Sequence, residues 1–262
     1  GRYRRLQDLA SAETAKGVDA PVTARLALAR FLVGSDLGFE AIGVLDLSAK
    51  AHPALLNDPE FRGLRGAAKA MVGRYREAQA DLSAPVVASD PASALWRGYV
   101  DAKLGHYADA RQSFTAGARA VDLFSPTWRA RFSAAHATAA LQLNDVGAAR
   151  SLIAYAEAQQ GLSPYDQLNV SLVHARMFEA DNQADRALNV YQAIAKASFG
   201  DLATPAELRA AKIRYDKGLD APAVTVKTLE GLKFRWRGDS TELEVIRTLG
   251  EIYLSQGLYR QA

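Results

Sequence analysis

There is no cysteine among the 262 residues. That absence removes disulfide frameworks, thiolate metal sites and cysteine nucleophiles together, although it does not choose between a reducing and an oxidising compartment. Histidine is scarce, and His52, His106, His136 and His174 never give the H-x-x-x-H or H-E-x-x-H spacing that places two imidazoles on one helix face for a metal. Long hydrophobic runs are missing as well: none approaches the roughly 20 residues that span a bilayer. The opening Gly1-Arg2-Tyr3-Arg4-Arg5 is not followed by the apolar segment of a signal peptide. Charge of one sign is lacking too, since a surplus of only +3 spread along the chain differs from the clustered charge of nucleic-acid binders. No G-x-S-x-G, P-loop, dinucleotide-binding or kinase motif occurs. The sequence therefore predicts no enzyme activity, no cofactor, no metal, no nucleic-acid partner and no membrane insertion. What is present, 49% hydrophobic and 23% charged residues, is the composition of a soluble folded protein. Arginine outnumbers lysine by 23 to 9 and alanine is abundant, which suggests a GC-rich, bacterial genome and a cytoplasmic or periplasmic location.

Prolines are few, but six of the nine stand at nearly constant spacing. Pro21, Pro59, Pro91, Pro126, Pro164 and Pro205 are separated by 38, 32, 35, 38 and 41 residues. Five follow a good capping residue, namely Asp58, Asp90, Ser125, Ser163 and Thr204. A proline just inside a helix loses no hydrogen bond, because that N–H has no partner there anyway. Each pair is expected to start a helix, and a start signal recurring at about 35 residues is the mark of a helical repeat array.

The break within each repeat recurs as well. Gly73-x-Tyr75-x-x-Ala78, Gly105-x-Tyr107-x-x-Ala110 and Gly257-x-Tyr259-x-x-Ala262 share one pattern: a glycine for the left-handed residue that closes helix A, an aromatic at the corner, and an alanine where helix B comes close. Seven residues before each glycine lies another small residue, Gly66, Gly98 and Gly250. Asn144 and Asn182 hold the glycine position in weaker copies, asparagine being a good substitute in the left-handed region. The helix-B alanines then fall at 41, 78, 110, 149, 187, 223 and 262. Around Gly218-Leu219-Asp220-Ala221-Pro222-Ala223 the large apolar position falls on Lys227, so a register shift of one, to Val226, or an irregular hairpin is expected there, with helix B starting near Asp220.

On these residues the chain resembles the tetratricopeptide repeat (TPR) superfamily, whose consensus is met by Gly98, Gly105, Tyr107, Ala110 and Phe114 and by Leu249-Gly250-Glu251-Ile252-Tyr253. The resemblance implies an all-α, right-handed α-solenoid of about seven helix hairpins. As a single array over 1–262 it divides into a half repeat at 1–18, units at 19–55, 56–88, 89–123, 124–161, 162–202 and 203–237, and a partial unit at 238–262. Both ends then fall in mid-repeat, so a fragment of a longer protein is expected, with uncapped ends able to self-associate.

The resemblance also implies a function: a non-enzymatic scaffold that binds a peptide or partner protein in a concave groove lined by helix A. Alternatives are a regulatory or substrate-recruiting arm of a larger enzyme and a self-assembling structural array. Groove positions carried over from the family select Arg30, Tyr99, Lys103, Thr138, Gln142, Arg176, Lys212, Tyr215 and Arg247, with Leu26, Ala67, Met71, Leu95, Ala134, Leu172, Glu179, Leu208 and Glu251 beside them. The cations among them suggest an acidic partner. Trp96 and Trp128 are expected to pack between helices, whereas Trp236, in Phe234-Arg235-Trp236-Arg237-Gly238, is as suited to an exposed contact patch as to packing. Acidic residues are expected at helix starts or in i,i+4 pairs with arginine.

Overall fold

The computed structural model describes residues 1–17, 22–235 and 240–261. Among these the structure is all-α, with fourteen α-helices and no strand. The chain divides into two compact units, Gly1–Leu143 and Asn144–Ala262. The first holds α1 (Arg2–Thr14), α2 (Thr23–Gly34), α3 (Gly38–Ala51), α4 (Pro59–Met71), α5 (Tyr75–Leu82), α6 (Pro91–Leu104), α7 (Tyr107–Gly117) and α8 (Pro126–Gln142). The second holds α9 (Val146–Glu157), α10 (Pro164–Ala180), α11 (Ala184–Ile194), α12 (Gly200–Asp216), α13 (Pro222–Arg235) and α14 (Ser240–Ser255). Short 3-10 turns at Pro53–Asn57, Pro85–Val87 and Ala118–Leu123 link hairpins of the first unit.

Local chemistry explains most boundaries. The side chains of Asp58, Asp90, Ser125 and Ser163 accept the backbone N–H three residues on, and a proline stands at the first helical position each time. Each cap satisfies an N–H that the helix leaves without a partner. The corners are equally regular: Asp36, Gly73, Gly105, Asn144, Asn182, Gly218 and Gly257 all have φ between +59° and +82°. After most of them the next N–H returns to the carbonyl five residues back, as from His106 to Asp101 at 2.8 Å, the bond that closes a helix at a left-handed residue.

Helix α2 begins differently. Pro21 lies outside the described residues, and the helix starts at Thr23 after Val22, whose side chain gives no cap. Glu13 of α1 does that work instead, its carboxylate accepting from the N–H groups of Ala24 (2.9 Å) and Arg25 (3.0 Å). Those two bonds and the Arg25 side chain hold the carboxyl below its ordinary range, against the upward effect of burial.

Two expectations need correction. Thr204 and Pro205 do not start a helix: both are buried inside α12, which begins at Gly200 after Phe199. Tyr165 of α10 packs edge-on against Phe199, with ring centroids 5.3 Å apart, and donates its hydroxyl to Asp201 at 2.5 Å. Leu202 is buried too, so tertiary contacts add a turn ahead of the proline. The second correction concerns α13, where Ala223 is exposed while Thr225 and Leu229 are buried. The shift is two residues, not one. Helices α3, α5, α7 and α11 begin two residues after the left-handed corner, but α13 begins four after Gly218 because Pro222 occupies its first position. Arg214 holds the intervening loop through two 2.7 Å bonds to Asp220.

Close helix contacts sit where small residues allow them. Ala41, Ala78, Ala110, Ala149 and Ala187 are fully buried. A side chain on Gly98 would place its Cβ 2.9 Å from the Phe114 ring and 3.1 Å from the Ala110 carbonyl. Ala110→Leu is expected to overpack this hairpin and destabilise unit 1 by about 1–3 kcal/mol in urea unfolding, whereas an exposed site would accept leucine almost neutrally.

Acidic residues do stand at helix starts as expected, with Asp58, Asp90 and Asp145 as caps and Glu40, Glu60, Glu77, Asp109 and Asp185 in first turns. The arginine partners of the acids differ from the expected spacing. Arg247–Glu251 is an i,i+4 pair, but Arg62–Asp81, Arg131–Asp36, Arg150–Asp181 and Arg209–Glu244 join different helices or corners.

Candidate functional site

Helices α2, α4, α6 and α8 carry the expected groove positions of unit 1, and that side is largely occupied by the chain itself. Tyr99 is half-buried among Tyr75, Trp96, Trp128 and Phe132, with ring centroids between 5.6 and 6.3 Å away. The Lys103 ammonium lies 5.5 Å from the centre of the Tyr99 ring. Arg131 covers Trp128 at 4.7 Å and reaches Asp36, 95 positions earlier in sequence, at 3.0 Å. That ion pair links the α2 corner to α8 past the two intervening helix-A elements. Trp96 and Trp128 are core residues, as expected. Arg30 is exposed and pairs with Glu60, with Nη2 2.7 Å from Oε2. Thr138 returns its hydroxyl to the Ala134 carbonyl, and Gln142 is exposed at the end of α8.

In unit 2 the corresponding side is formed by α10, α12 and α14, and it is polar. Arg209 of α12 stands between Glu179 of α10 (3.4 Å) and Glu244 of α14 (2.9 Å). Glu179 also accepts the hydroxyl of Tyr191, a fully buried residue of α11. Burial first, and then the adjacent Glu179 carboxylate, push the Tyr191 hydroxyl well above its ordinary range, so it stays protonated and serves as a donor. Two cations are left over. Arg176 and Lys212 each follow the small helix-A residue of their repeat, Ala175 and Ala211, and neither has a carboxylate partner among the described residues; Arg176 Nε is buried with no acceptor. Tyr215 shares a 3.1 Å hydrogen bond with Ser255, and Arg247 is paired with Glu251 at 2.9 Å. A depression of about 390 Å³ between α12 and α14 is lined by Lys212, Leu243, Glu244, Arg247, Thr248 and Glu251.

Several expected groove residues are core residues instead. Ala67, Leu95, Ala134, Leu172 and Leu208 are all buried: in α6, α8, α10 and α12 the position three before the small residue packs inside, and Ala67 directly follows Gly66 on the buried side of α4. Trp236 lies outside the described residues. Sequence reading missed Arg131–Asp36 and the role of Arg209, since neither pair follows from local spacing. Among the described residues no group of three or more His, Asp or Glu side chains is placed to hold a metal, and no helix is long and apolar enough to cross a membrane.

No protein-family model matches the chain, and no curated protein matches it. Solved structures do. A chain of the APC/C hetero-tetramer Cut9–Hcn1 matches with a TM-score of 0.58 and 13% identity, covering 91% of this chain and 44% of that one. A tetratricopeptide repeat protein from Parabacteroides merdae ATCC 43184 matches with a TM-score of 0.52 and 12% identity, covering 96% of this chain and 91% of its own. This chain thus spans less than half the length of the first of these. At such identities the likeness is one of fold: the chain has a TPR-like all-α fold of sequential helix hairpins.

Proposed function

We propose that this chain is a non-enzymatic interaction module whose protein or peptide partner docks on the helix-A side of unit 2 and carries acidic groups. The observation behind this reading is the pair of unpartnered cations, Arg176 and Lys212, at equivalent positions of α10 and α12, next to arginines that are neutralised from within. A guanidinium or ammonium with no carboxylate beside it is open to donating a charge-assisted hydrogen bond to an incoming acidic group. Unit 1 contributes less to docking in this reading, because its own aromatic side chains occupy the equivalent face.

The test is charge reversal. Partners captured with the wild-type protein are identified, and the affinity of a verified partner is measured by calorimetry at low and high salt. Arg176→Glu with Lys212→Glu is expected to weaken binding by about tenfold or more and to flatten its salt dependence, with helical content unchanged by circular dichroism. Equal affinity and equal salt dependence in the reversed protein would rule the reading out.

A further inference from the structure

We propose that the depression between α12 and α14 is a subsite for one carboxylate side chain placed beside an aliphatic one, and that it turns away runs of acidic residues. This rests on the reading that unit 2 carries the docking face, and it adds what the face selects.

The selection follows from how the lining groups are already committed. Glu244 is held by Arg209 at 2.9 Å, and Glu251 by Arg247 at 2.9 Å. Thr248 donates its hydroxyl to the Glu244 carbonyl at 2.8 Å. Lys212 is the polar lining group left without a partner among the described residues. The Lys212 ammonium is a point charge, suited to a single carboxylate and not to the fork geometry that a guanidinium offers. Leu243 stands beside it with 70% of its surface exposed. An aliphatic side chain next to the acid is the group that covers Leu243.

The same lining supplies the rejection. Glu244 and Glu251 already take up Arg209 and Arg247, so once Lys212 holds one acid, a second acidic residue on the ligand finds no uncommitted cation among the described lining residues and lies beside these two carboxylates. Along α14, Leu243, Arg247, Glu251 and Leu254 follow one another at steps of four, four and three residues, which puts them on one face of the helix. Both leucines are more than half exposed. The face therefore reads apolar, basic, acidic, apolar. A strongly acidic segment does not complement it, whereas an isolated acid among aliphatic residues does.

The probes are short N-acetylated peptides, amidated at the C-terminus in all but the last, titrated into the whole 262-residue protein and followed by two-dimensional NMR. One carries a central Leu-Glu pair, one carries Leu-Gln, and one is oligoglutamate; a fourth has a free C-terminal leucine as its single carboxylate. The Leu-Glu peptide is expected to shift the signals of Lys212, Leu243 and Arg247, and to bind about tenfold more tightly than Leu-Gln. It should bind at least as tightly as oligoglutamate despite the smaller charge. Lys212→Gln and Leu243→Ser should each weaken it by about fivefold or more, both being surface changes that leave the fold intact. Tighter binding of oligoglutamate would replace the proposal with a merely basic face. Preference for the free C-terminus would replace it with a carboxyl-terminal site, and silence of all four peptides would also overturn it. If Arg176→Glu abolishes binding while Lys212→Gln and Leu243→Ser do not, the subsite falls and the docking face stands. If none of the three variants matters, both fall.

Discussion

Asp81→Ala is expected to destabilise unit 1 by about 3–5 kcal/mol, the usual effect of removing one partner from a buried charge cluster. Asp81 is fully buried at the end of α5 and receives Arg62 Nη1 at 2.7 Å, Arg65 Nε and Nη2 at 2.8 Å each, and Lys69 Nζ at 2.9 Å. The three cations lie on one face of α4. At the equivalents of Arg65 and Lys69 the repeat of α2 has Leu28 and Leu32, and α14 has Leu249 and Tyr253. One hairpin has therefore exchanged apolar packing for ion pairs around a single carboxylate. Alanine leaves Arg62 without a carboxylate among the described residues, and leaves Arg65 and Lys69 with only the more distant, more exposed Asp46 (3.8 Å) and Glu77 (3.9 Å). Urea unfolding should show the loss. Replacing Arg62, Arg65, Lys69 and Asp81 together by leucine should restore most of it, because a buried ionic cluster and a packed apolar one are of similar net stability. Failure of the fourfold variant to recover would mean that the cluster determines the hairpin geometry as well as stabilising it.

The same residue gives a pH dependence of known sign. Burial alone would raise the Asp81 carboxyl, but hydrogen bonds from Arg65 and Lys69 and their charges outweigh it, so the folded value lies below the ordinary one. Its contribution is complete above the unfolded value of about 3.9 and is lost as the pH falls through the lower folded value. Stability of the wild type should drop across that acid range. In Asp81→Asn the drop should be shallower, since no proton is taken up at that position. Equal slopes would show that other carboxylates govern acid unfolding.

Trp96→Ala is the second large effect, at about 3–5 kcal/mol. Trp96 is only 4% exposed, and its ring centroid lies 4.2 Å from that of Trp128, 5.1 Å from Phe132 and 6.1 Å from Phe124. Removing the indole opens a cavity in the centre of a stack that reaches from α6 to α8, and the surrounding rings are too rigid to close over it. Trp96→Phe should recover part of the loss, as the remaining ring still meets Phe132. If alanine were tolerated within about 0.5 kcal/mol, the range typical of surface substitutions, Trp96 would belong to a contact surface and not to the core.

The sequence by itself determined the features that depend on neighbours within about five residues. The caps at Asp58, Asp90, Ser125 and Ser163 and the left-handed corners from Gly73 to Gly257 are of this kind. A cap, a proline at the first helical position and a glycine or asparagine at the last act through bonds made locally, so their recurrence revealed the hairpin array. Only tertiary structure decided where such signals are overruled. Thr204-Pro205 has the same local form as Ser163-Pro164, yet Tyr165 and the burial of Leu202 draw the start of α12 back to Gly200. Pro222 shows the converse: it fixed the start of α13, but the two-residue slip became visible only when Thr225 and Leu229 took the buried positions. The functional face was less legible still. Whether an arginine is free or neutralised depends on which carboxylate another helix places beside it, as Asp36 does for Arg131 and Glu244 for Arg209. Helix-A spacing put Arg30, Arg176 and Lys212 on one list. Packing separated them, pairing Arg30 with Glu60 and leaving Arg176 and Lys212 without a carboxylate among the described residues, because side-chain pairing across helices is fixed by the docking of those helices and not by the periodicity of either one.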